Sequence, residues 1–248
     1  MSRVVHSADA FHPQPETFVN PILQPAGDAL RIDVISDVVC PWCYVGKRQL
    51  EAALDAWRAA HPDAPVPIVR WHPFQLNPDF PPDGMARADY LRRKFGTPDP
   101  GAIYERVTAA ARAVGLSPDF TRIARQPNTL RAHALIAAAG ADGDAQQERM
   151  VETLFEAYFL EGADLTSDAM LAALGRRAGL SEAQVAEVLE GDAAAAEAGR
   201  ADAQARSLGV SGVPLFVIDG RLGVSGAQGA EALCAAFEQA RSAAEPVA

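Results

Sequence analysis

The first sustained alternation of apolar and polar residues along the chain begins at Leu30. The segment LRIDVISD alternates in this way and predicts a β-strand. The following segment, CYVGKRQLEAALDAW, repeats its apolar residues at approximately helical spacing, and HPDAP marks the end of that helix. A second short strand is predicted over VPIVRWHPF. Strand, helix and strand within about forty residues have the size of a βαβ unit.

From Leu76 to about Arg206 the pattern is helical, and it contains no convincing strand. Successive helices are predicted over the segments MARADYLRRKF, AIYERVTAAARAV, NTLRAHALIAAA and ERMVETLFEAYFLEG. Another helix is predicted to start at Ser181, where SEAQ has the form of a capping box. This part of the chain is therefore predicted to be an all-helical block.

Strand character returns in VPLFVIDG and RLGVSG, whose junction Asp219-Gly220 is typical of a two-residue type I′ hairpin turn. A last helix is predicted over GAEALCAAFEQARSA. We therefore predict an α/β fold in which residues 29–75 and 209–244 form one discontinuous domain. Residues 76–208 form a helical insertion in this domain. Residues 1–28, rich in proline and without a sustained period, predict an irregular N-terminal arm.

Charge and composition exclude several kinds of partner. The chain has 248 residues and a formal net charge of −10, and no block of Lys or Arg suggests a nucleic-acid surface. No apolar run approaches the roughly 20 residues that cross a bilayer, and the N-terminal residues lack the apolar core of a secretory signal. We expect a soluble, cytoplasmic protein that binds neither nucleic acid nor membrane. With only 3 cysteines, a Cys-x-x-Cys pair points to redox or metal chemistry.

The motif CPWC, from Cys40 to Cys43, lies where the first predicted strand gives way to the helix. Pro41 suits the first helical position, because the N–H that proline lacks would have no helical partner there. Cys40 then lies at the cap, where the partial positive charge and free N–H groups of a helix favour thiolate over thiol. Cys43, one turn inward, can attack a mixed disulfide formed on Cys40. We predict Cys40 as the nucleophile and Cys43 as the resolving cysteine.

Two other interpretations of this pair are weighed against the redox one. Two inert, buried thiols at this spacing would be the default, but the preceding strand, Pro41 and the following helix argue against it. A structural zinc site needs four ligands. The sequence offers no second Cys-x-x-Cys and no close pair of histidines, so no metal is predicted. The third cysteine, Cys234, shares an apolar helix face with Leu233 and Phe237 and is expected to be a small core residue.

Four further residues are candidates for substrate binding or for tuning the thiols. Trp42 is expected to shape an exposed apolar rim against which a substrate lies. Asp37 either brings negative charge to the pair, which opposes thiolate formation, or is a surface cap. Lys47 either favours a thiolate through its charge or is solvated. His133 is either a satisfied, partly buried histidine or a residue of the substrate groove.

Pro214 comes immediately before the strand predicted over LFVI. Because proline cannot donate to a sheet ladder, it marks a sheet edge or the start of a strand. If the Val213-Pro214 bond is cis, the backbone groups of Val213 are free to pair with an extended substrate. Val213 and Pro214 are therefore candidate substrate-binding residues.

Four motifs together resemble the DsbA family of thioredoxin-fold proteins, and within it the FrnE-like, 2-hydroxychromene-2-carboxylate isomerase-like branch. They are CPWCYVGK, PNTLRAHAL, LFEAYFLEG and GVSGVPLFVIDGRLGVSGAQ, and the similarity covers about residues 30 to 240. The resemblance implies a thioredoxin fold interrupted by an all-helical insertion. It also implies Cys40 as an exposed nucleophile, Cys43 as its partner and Pro214 as a cis-proline facing the pair.

Similar proteins that use glutathione for isomerisation or transfer typically carry serine at the nucleophile position, whereas this chain has both Cys40 and Cys43. The leading hypothesis is a thiol-disulfide oxidoreductase that reduces or reshuffles substrate disulfides without a bound cofactor. Disulfide-containing proteins and peptides are the expected partners, with glutathione as a candidate co-substrate. Two alternatives stay open: a glutathione-dependent isomerase or transferase on a small aromatic compound, and a peptide-binding holdase. The oligomeric state, monomer or homodimer, is also open.

Overall fold

The computed structural model of the protein describes residues 29–98 and 101–244. The arm predicted over residues 1–28 lies outside the described residues. In chain order the elements are β1 (Arg31–Ser36), α1 (Pro41–Ala60), β2 (Ile68–Pro73), β3 (Met85–Ala86), α2 (Arg87–Phe95), α3 (Gly101–Ala113), β4 (Arg125–Gln126), α4 (Leu130–Ala141), α5 (Asp144–Glu156), a π-helical turn (Ala157–Glu161), α6 (Asp168–Arg177), α7 (Glu182–Leu189), α8 (Ala193–Ser207), β5 (Leu215–Ile218), β6 (Leu222–Ser225) and α9 (Ala230–Ala244).

A four-stranded mixed sheet in the order β2-β1-β5-β6 organises the fold. β1 runs parallel to β2 and antiparallel to β5, and β5 pairs with β6 in antiparallel register. Because α1 connects the two parallel strands, the predicted βαβ unit is confirmed. β1 is buried along its whole length, as is usual for a strand in a sheet covered by helices. Helix α9 packs on β5 and β6, while α4, α5 and α8 pack on β2.

The outer edge of β2 is covered by a side chain of α5. The Trp71 backbone N–H donates to Gln147 Oε1 at 2.9 Å, and Gln147 Nε2 donates to the Trp71 carbonyl at 3.2 Å. The side-chain amide thus makes the two hydrogen bonds that a neighbouring strand would make at this residue.

Aromatic packing joins α1 to the helical part of the chain. The ring of Tyr44 on α1 stacks on Phe155 of α5 with centroids 5.0 Å apart, and Phe159 of the π-helical turn lies 6.0 Å away. All three side chains are at most 1 % exposed. Rings packed in this way add about 0.5–1.5 kcal/mol per pair to the free energy gained by burial. These contacts therefore hold α1, the helix that carries the cysteine pair, against α5 and the π-helical turn.

A short strand pair lies inside the block that was predicted to be all-helical. The prediction that this block contains no strand is therefore wrong. Met85–Ala86 pairs in antiparallel register with Arg125–Gln126. Gly84 enters this pair with φ +64°, and a Cβ atom at this position would lie 2.4 Å from the Gln126 carbonyl oxygen. The pairing partners are distant in sequence, so the local pattern around Met85 predicts only a helix.

The turn between β5 and β6 contains three residues instead of the predicted two. Asp219 and the following glycine both have positive φ, as a type I′ turn requires. The register pairs Ile218 with Leu222, so Arg221 also lies in the turn. Asp219 is tied to β1, since its N–H donates to the Arg31 carbonyl and its Oδ1 accepts the Arg31 N–H, both at 2.8 Å. These long-range bonds hold the turn against the start of β1.

The described helices include none that is both long enough and apolar enough to cross a membrane.

Candidate active site

The cysteine pair lies where β1 passes into α1. Cys40 is the N-cap residue, with extended φ and ψ of −91° and 111°, and Pro41 follows at the start of the helix. The turn is closed by the Cys40 N–H, which donates to the Asp37 carbonyl at 3.0 Å. One turn on, the Cys43 N–H donates to the Cys40 carbonyl at 3.0 Å. The structure therefore has Cys40 at the positive end of the helix and Cys43 inside its first turn.

Cys40 is only 5 % exposed, so the expectation of an exposed nucleophile is wrong for this structure. Its Sγ donates toward the backbone carbonyl of Val213, at 3.7 Å. The segment that leads into β5 thus lies across the thiol and covers it. Both thiols are free in the structure.

Cys43 is the more deeply buried thiol, with 1 % of its surface exposed. Burial raises the pKa of Cys43 well above its ordinary value, and the hydrogen bond and the charge of Cys40 raise it further. Hydrogen bonds from the Asp37 backbone and the Ser36 side chain act in the opposite direction. The surroundings of Cys43 therefore favour its protonated thiol over the thiolate.

The Val213-Pro214 peptide bond is cis, and Pro214 is buried directly before β5. Gly46 of α1 allows this segment to approach the helix. A Cβ atom on Gly46 would lie 3.0 Å from Phe216 Cζ and 3.1 Å from Pro214 Cγ. Sequence analysis missed Gly46, although a glycine inside a predicted helix is itself a signal of close packing.

Pro41 and Trp42 lie between the two cysteines and are both partly buried. Trp42 packs against the main apolar core. Its side chain is therefore less exposed than the prediction of an exposed apolar rim implied.

Asp37 is fully buried, which corrects its interpretation as a surface cap. Its Oδ2 accepts the Leu76 N–H at 2.7 Å, and its Oδ1 accepts the Val39 N–H at 3.4 Å. His133 Nε2 lies 3.5 Å from Asp37 Oδ1, and the side chain of His133 is 3 % exposed. Among the described residues His133 Nε2 makes no hydrogen bond. Both interpretations of His133, a satisfied histidine and a residue of the substrate groove, stay predictions.

Lys47 is neither solvated nor available to a thiolate, which contradicts both interpretations made from the sequence. Its side chain is 2 % exposed, and its Nζ lies 2.5 Å from Glu51, 2.6 Å from Glu148 and 2.6 Å from Glu152. Burial alone would lower the pKa of Lys47, but the charges and hydrogen bonds of Glu148 and Glu152 raise it above its ordinary value. Arg48 also binds Glu152. The charge of Lys47 therefore joins α1 to α5.

A second histidine-aspartate pair was missed by sequence analysis. Asp33, in the middle of β1, is fully buried and accepts a hydrogen bond from Arg31 Nη2 at 2.7 Å. His72 Nε2 lies 2.6 Å from the same Asp33 oxygen. The only signal in the sequence is an acidic residue within a strand that proves to be buried.

Cys234 is partly buried on α9, with its Sγ 3.7 Å from the Ala53 carbonyl. It packs against the main core, as expected. Across residues 29–98 and 101–244, no group of three or more His, Cys, Asp or Glu side chains could hold a metal ion.

A mixed sheet with a Cys-x-x-Cys pair at the start of the helix after β1, and Pro214 opposite it, defines a thioredoxin-fold protein. The sequence profile of the DSBA-like thioredoxin domain matches residues 31–238. The chain belongs to this family. The predicted fold class and DsbA-type family are thus confirmed, and with them the prediction of an enzyme related to disulfide oxidoreductases and isomerases.

Solved structures support the same assignment. A protein described as a probable DsbA oxidoreductase from Streptomyces coelicolor is 32% identical, with a TM-score of 0.77, over 88% of this chain and 93% of that one. The cytosolic disulfide reductase DsbM from Pseudomonas aeruginosa is 20% identical, with a TM-score of 0.59, over 86% and 100%. It has also been solved with GSH. A 2-hydroxychromene-2-carboxylate isomerase is 16% identical, with a TM-score of 0.61, over 84% and 95%. The last two share the fold. No curated protein matches the chain.

Proposed function

We propose that this chain is a thiol-disulfide oxidoreductase that reduces or reshuffles disulfides with Cys40 and Cys43. The Cys40 thiolate attacks one sulfur of a substrate disulfide, forms a mixed disulfide and releases the other sulfur as a thiol. Cys43 then attacks Cys40 Sγ, so that the Cys40–Cys43 bond forms and the second substrate thiol leaves. The substrate gains two electrons, and the cysteine pair loses them.

The observation that carries this proposal is the difference between the two thiols. Cys40 lies at the N-cap of α1, at the positive end of the helix. Cys43 is buried, and its pKa is raised. This difference supports the order of the two steps, in which Cys40 attacks the substrate first. Cys43 attacks only after Cys40 has formed a mixed disulfide.

Substrate binding is assigned in this proposal to the segment that covers Cys40. The Val213 carbonyl lies 3.7 Å from the Cys40 thiol. When an extended substrate binds, one of its backbone groups takes the place of the thiol as the hydrogen-bond partner of Val213. Pro214 fixes the segment, and the partly buried ring of Trp42 contacts the substrate beside Cys40. Pro41 starts the helix, and Asp37 closes the turn before it. Residues 76–208 are proposed to be an insertion that packs its helices against this thioredoxin-like core of residues 29–75 and 209–244.

Reduced glutathione, a monothiol, or a small dithiol is the proposed reductant that restores the cysteine pair. Two glutathione molecules, or one dithiol molecule, would transfer two electrons to the Cys40–Cys43 disulfide and be oxidised to a disulfide in each cycle. We place the reaction in the cytoplasm, as in the fold neighbour described as a cytosolic disulfide reductase. Proteins, peptides and glutathione-type disulfides are the substrate classes that fit this chemistry.

Insulin reduction in the presence of glutathione or a dithiol tests the proposal. Cys40→Ser is expected to lower the rate to the background rate of the reductant alone. Cys43→Ser is expected to lower it at least about tenfold and to accumulate a mixed disulfide on Cys40, because the resolving thiol is lost.

Cys234→Ser is the matched control and is expected to keep the parent rate. Full insulin reduction by Cys40→Ser would contradict the proposal. A Cys43→Ser variant that loses insulin reduction but still turns over small aromatic glutathione acceptors would favour isomerase or transferase chemistry.

A further inference from the structure

The outer edge of β2 is open at Val69. The N–H groups of Ile68 and Phe74 donate toward the β1 side of the sheet, at 2.8 and 3.0 Å. Since backbone groups alternate in direction along a strand, those of Val69 and Trp71 point outward. Gln147 of α5 binds both groups of Trp71. Within the described part of the chain, no side chain or loop binds the outward N–H and C=O of Val69.

Beyond Trp71 the same edge offers no open N–H group. Pro73 has no N–H. The Gln75 N–H donates to Asp202 Oδ1 of α8 at 2.7 Å, and Arg206 binds the Gln75 carbonyl. Helices α5 and α8 therefore close this edge above the start of β2 and leave its lower end accessible.

The open end of the edge lies in a groove of about 680 Å³ between α1, the start of β2 and the first turn of α5. Leu50 and Leu54 of α1 and Ile68 form part of its apolar wall, and Val66 at its border is 69 % exposed. Val69 itself lines the groove. The volume is in the range of pockets that enclose a drug-sized ligand.

The charged groups at the rim of this groove already have partners within the protein. Lys47 Nζ lies 2.5 Å from Glu51 and 2.6 Å from Glu148. Arg58 binds Asp55 at 3.2 Å. The groove therefore offers apolar contact and one open pair of backbone groups, which an uncharged, extended segment fits best.

The chain enters the described structure beside this groove. The Leu30 carbonyl accepts the Ile68 N–H at 2.8 Å. Neighbouring strands are about 4.8 Å apart, so the outer side of β2 lies about 10 Å from β1. Residues 24–29, QPAGDA, can span up to about 20 Å and contain Pro25 and Gly27, which suit a turn. This connection is long enough to lead from the outer edge of β2 into β1.

The residues that precede the connection, FVNPIL at 18–23, are uncharged and mostly apolar. A chain that turns from the outer edge of β2 into β1 runs antiparallel to β2. Because Pro21 has no N–H, it fits only where that side of the backbone faces outward, as is usual for proline in an edge strand. Asn20 and Ile22 can then present both of their backbone groups to Val69.

We propose that residues 18–23 of this chain bind in the groove as a short outer strand beside β2, with Asn20 or Ile22 hydrogen-bonded to Val69. The contact is intramolecular, and a short tether of this kind gives an effective concentration of about the millimolar range. The groove lies at the end of the sheet opposite to Cys40, so the inference goes beyond the proposed thiol chemistry and does not depend on it.

Hydrogen exchange of the Val69 amide, followed by NMR in the full-length protein, tests the proposal. In the parent this amide should exchange at least about tenfold more slowly than in Ile22→Asp/Leu23→Asp, because aspartate disfavours binding to an apolar groove. Val4→Asp/Val5→Asp makes the same change outside the segment. This matched control should keep the parent exchange rate within about twofold.

Val66→Asp tests the same contact from the groove. Since Val66 is 69 % exposed, the substitution should leave the fold intact and speed exchange at Val69 at least about tenfold. The Trp71 amide, which Gln147 binds, is the internal reference and should exchange at the same rate in every variant. Equal acceleration at Val69 and Trp71 would contradict a local contact and overturn the proposal.

A photoreactive phenylalanine analogue at position 18 identifies the occupant of the groove. Irradiation should link it to residues 66–69 or to α1 within one chain, at a yield that does not change with protein concentration. A cross-linked dimer whose yield rises with concentration would overturn the proposal in favour of a second copy. Equal Val69 exchange in the parent and in Ile22→Asp/Leu23→Asp would overturn it too.

Discussion

Two successive regions of α1 differ in what holds them in place. At the thiol end, from Cys40 to Gly46, the first helical turn contains no acidic residue, and backbone and apolar contacts dominate. Immediately afterwards, Lys47 and Arg48 bind three glutamates from α1 and α5. The comparison indicates that the charged residues of this helix serve to dock α5, while the reactive end is governed by burial and by the helix cap.

The largest expected effect comes from removing the buried charge. Lys47→Met leaves Glu51, Glu148 and Glu152 with Arg48 as the remaining cation. It should lower the free energy of unfolding by about 2–3 kcal/mol, because breaking a buried ion pair leaves an uncompensated charge. The glutamates are 39%, 37% and 22% exposed, which places the loss at or below the lower end of the roughly 3–5 kcal/mol usual for a broken buried pair. Denaturant unfolding measures it.

The control for this variant is Arg58→Met, which breaks the exposed Arg58–Asp55 pair and should cost less than about 0.5 kcal/mol. If Lys47→Met changes the rate at which Cys40 reacts with an aryl disulfide more than about threefold, the two regions are electrostatically coupled. The comparison would then be wrong.

Gly46→Ala sharpens the comparison from the thiol side. The new Cβ would lie 3.0 Å from Phe216 and 3.1 Å from Pro214, so one of the packed groups must move. Overpacking of this kind costs about 1–3 kcal/mol, partly offset by the better helix propensity of alanine. The expected net loss is about 1–2 kcal/mol, together with a roughly tenfold slower insulin reduction because Pro214 is displaced.

Gly199→Ala on α8 is the matched control, since its nearest neighbour is Leu130 Cδ2 at an ordinary 3.6 Å. It should be neutral or stabilising by up to about 1 kcal/mol. Gly46→Ala with unchanged stability and activity would mean that the close approach does not matter.

The smallest expected effect concerns the pH dependence of the charged region. Burial would raise the pKa of Glu51, but hydrogen bonds from Lys47 and Arg48 outweigh it, and the pKa is lowered from 4.5. A lowered folded-state pKa contributes stability above the unfolded-state value that is lost as pH falls through the folded-state value. Glu51→Gln should therefore cost under about 1 kcal/mol at neutral pH, and the difference should shrink below about pH 4.5.

Urea midpoints measured from neutral to acidic pH provide the measurement, with Asp55→Asn, a 79% exposed carboxylate, as the control. A Glu51→Gln effect that grows as the pH falls would contradict the assigned sign.

Features encoded within a few residues were predicted well. The strand before Cys40, Pro41 at the start of α1 and the capping box at Ser181 all depend on neighbouring residues, and all are present. The segment ERMVETLFEAYFLEG was predicted as one helix, and it continues from α5 into a π-helical turn. The motifs that resemble the DsbA family predicted the fold and the family more specifically than the periodicity of apolar residues did.

Features that depend on distant residues were not predicted. Lys47 is buried because Glu148 and Glu152 come from α5, and Cys40 is covered because Val213 lies across it. The free Nε2 of His133 results from packing of α4 beside the end of β1. In each case the sequence identified the residue, while its environment depended on a partner that no local pattern reveals.

The amide of Gln147 on the flank of β2 has a consequence for behaviour at high concentration. An outermost strand with open N–H and C=O groups invites the strands of other molecules, the first step of edge-to-edge aggregation. Gln147 occupies both groups of Trp71 from within the molecule. Helix α5, which Lys47 joins to α1, thereby also keeps the strands of other molecules from pairing with β2 at Trp71.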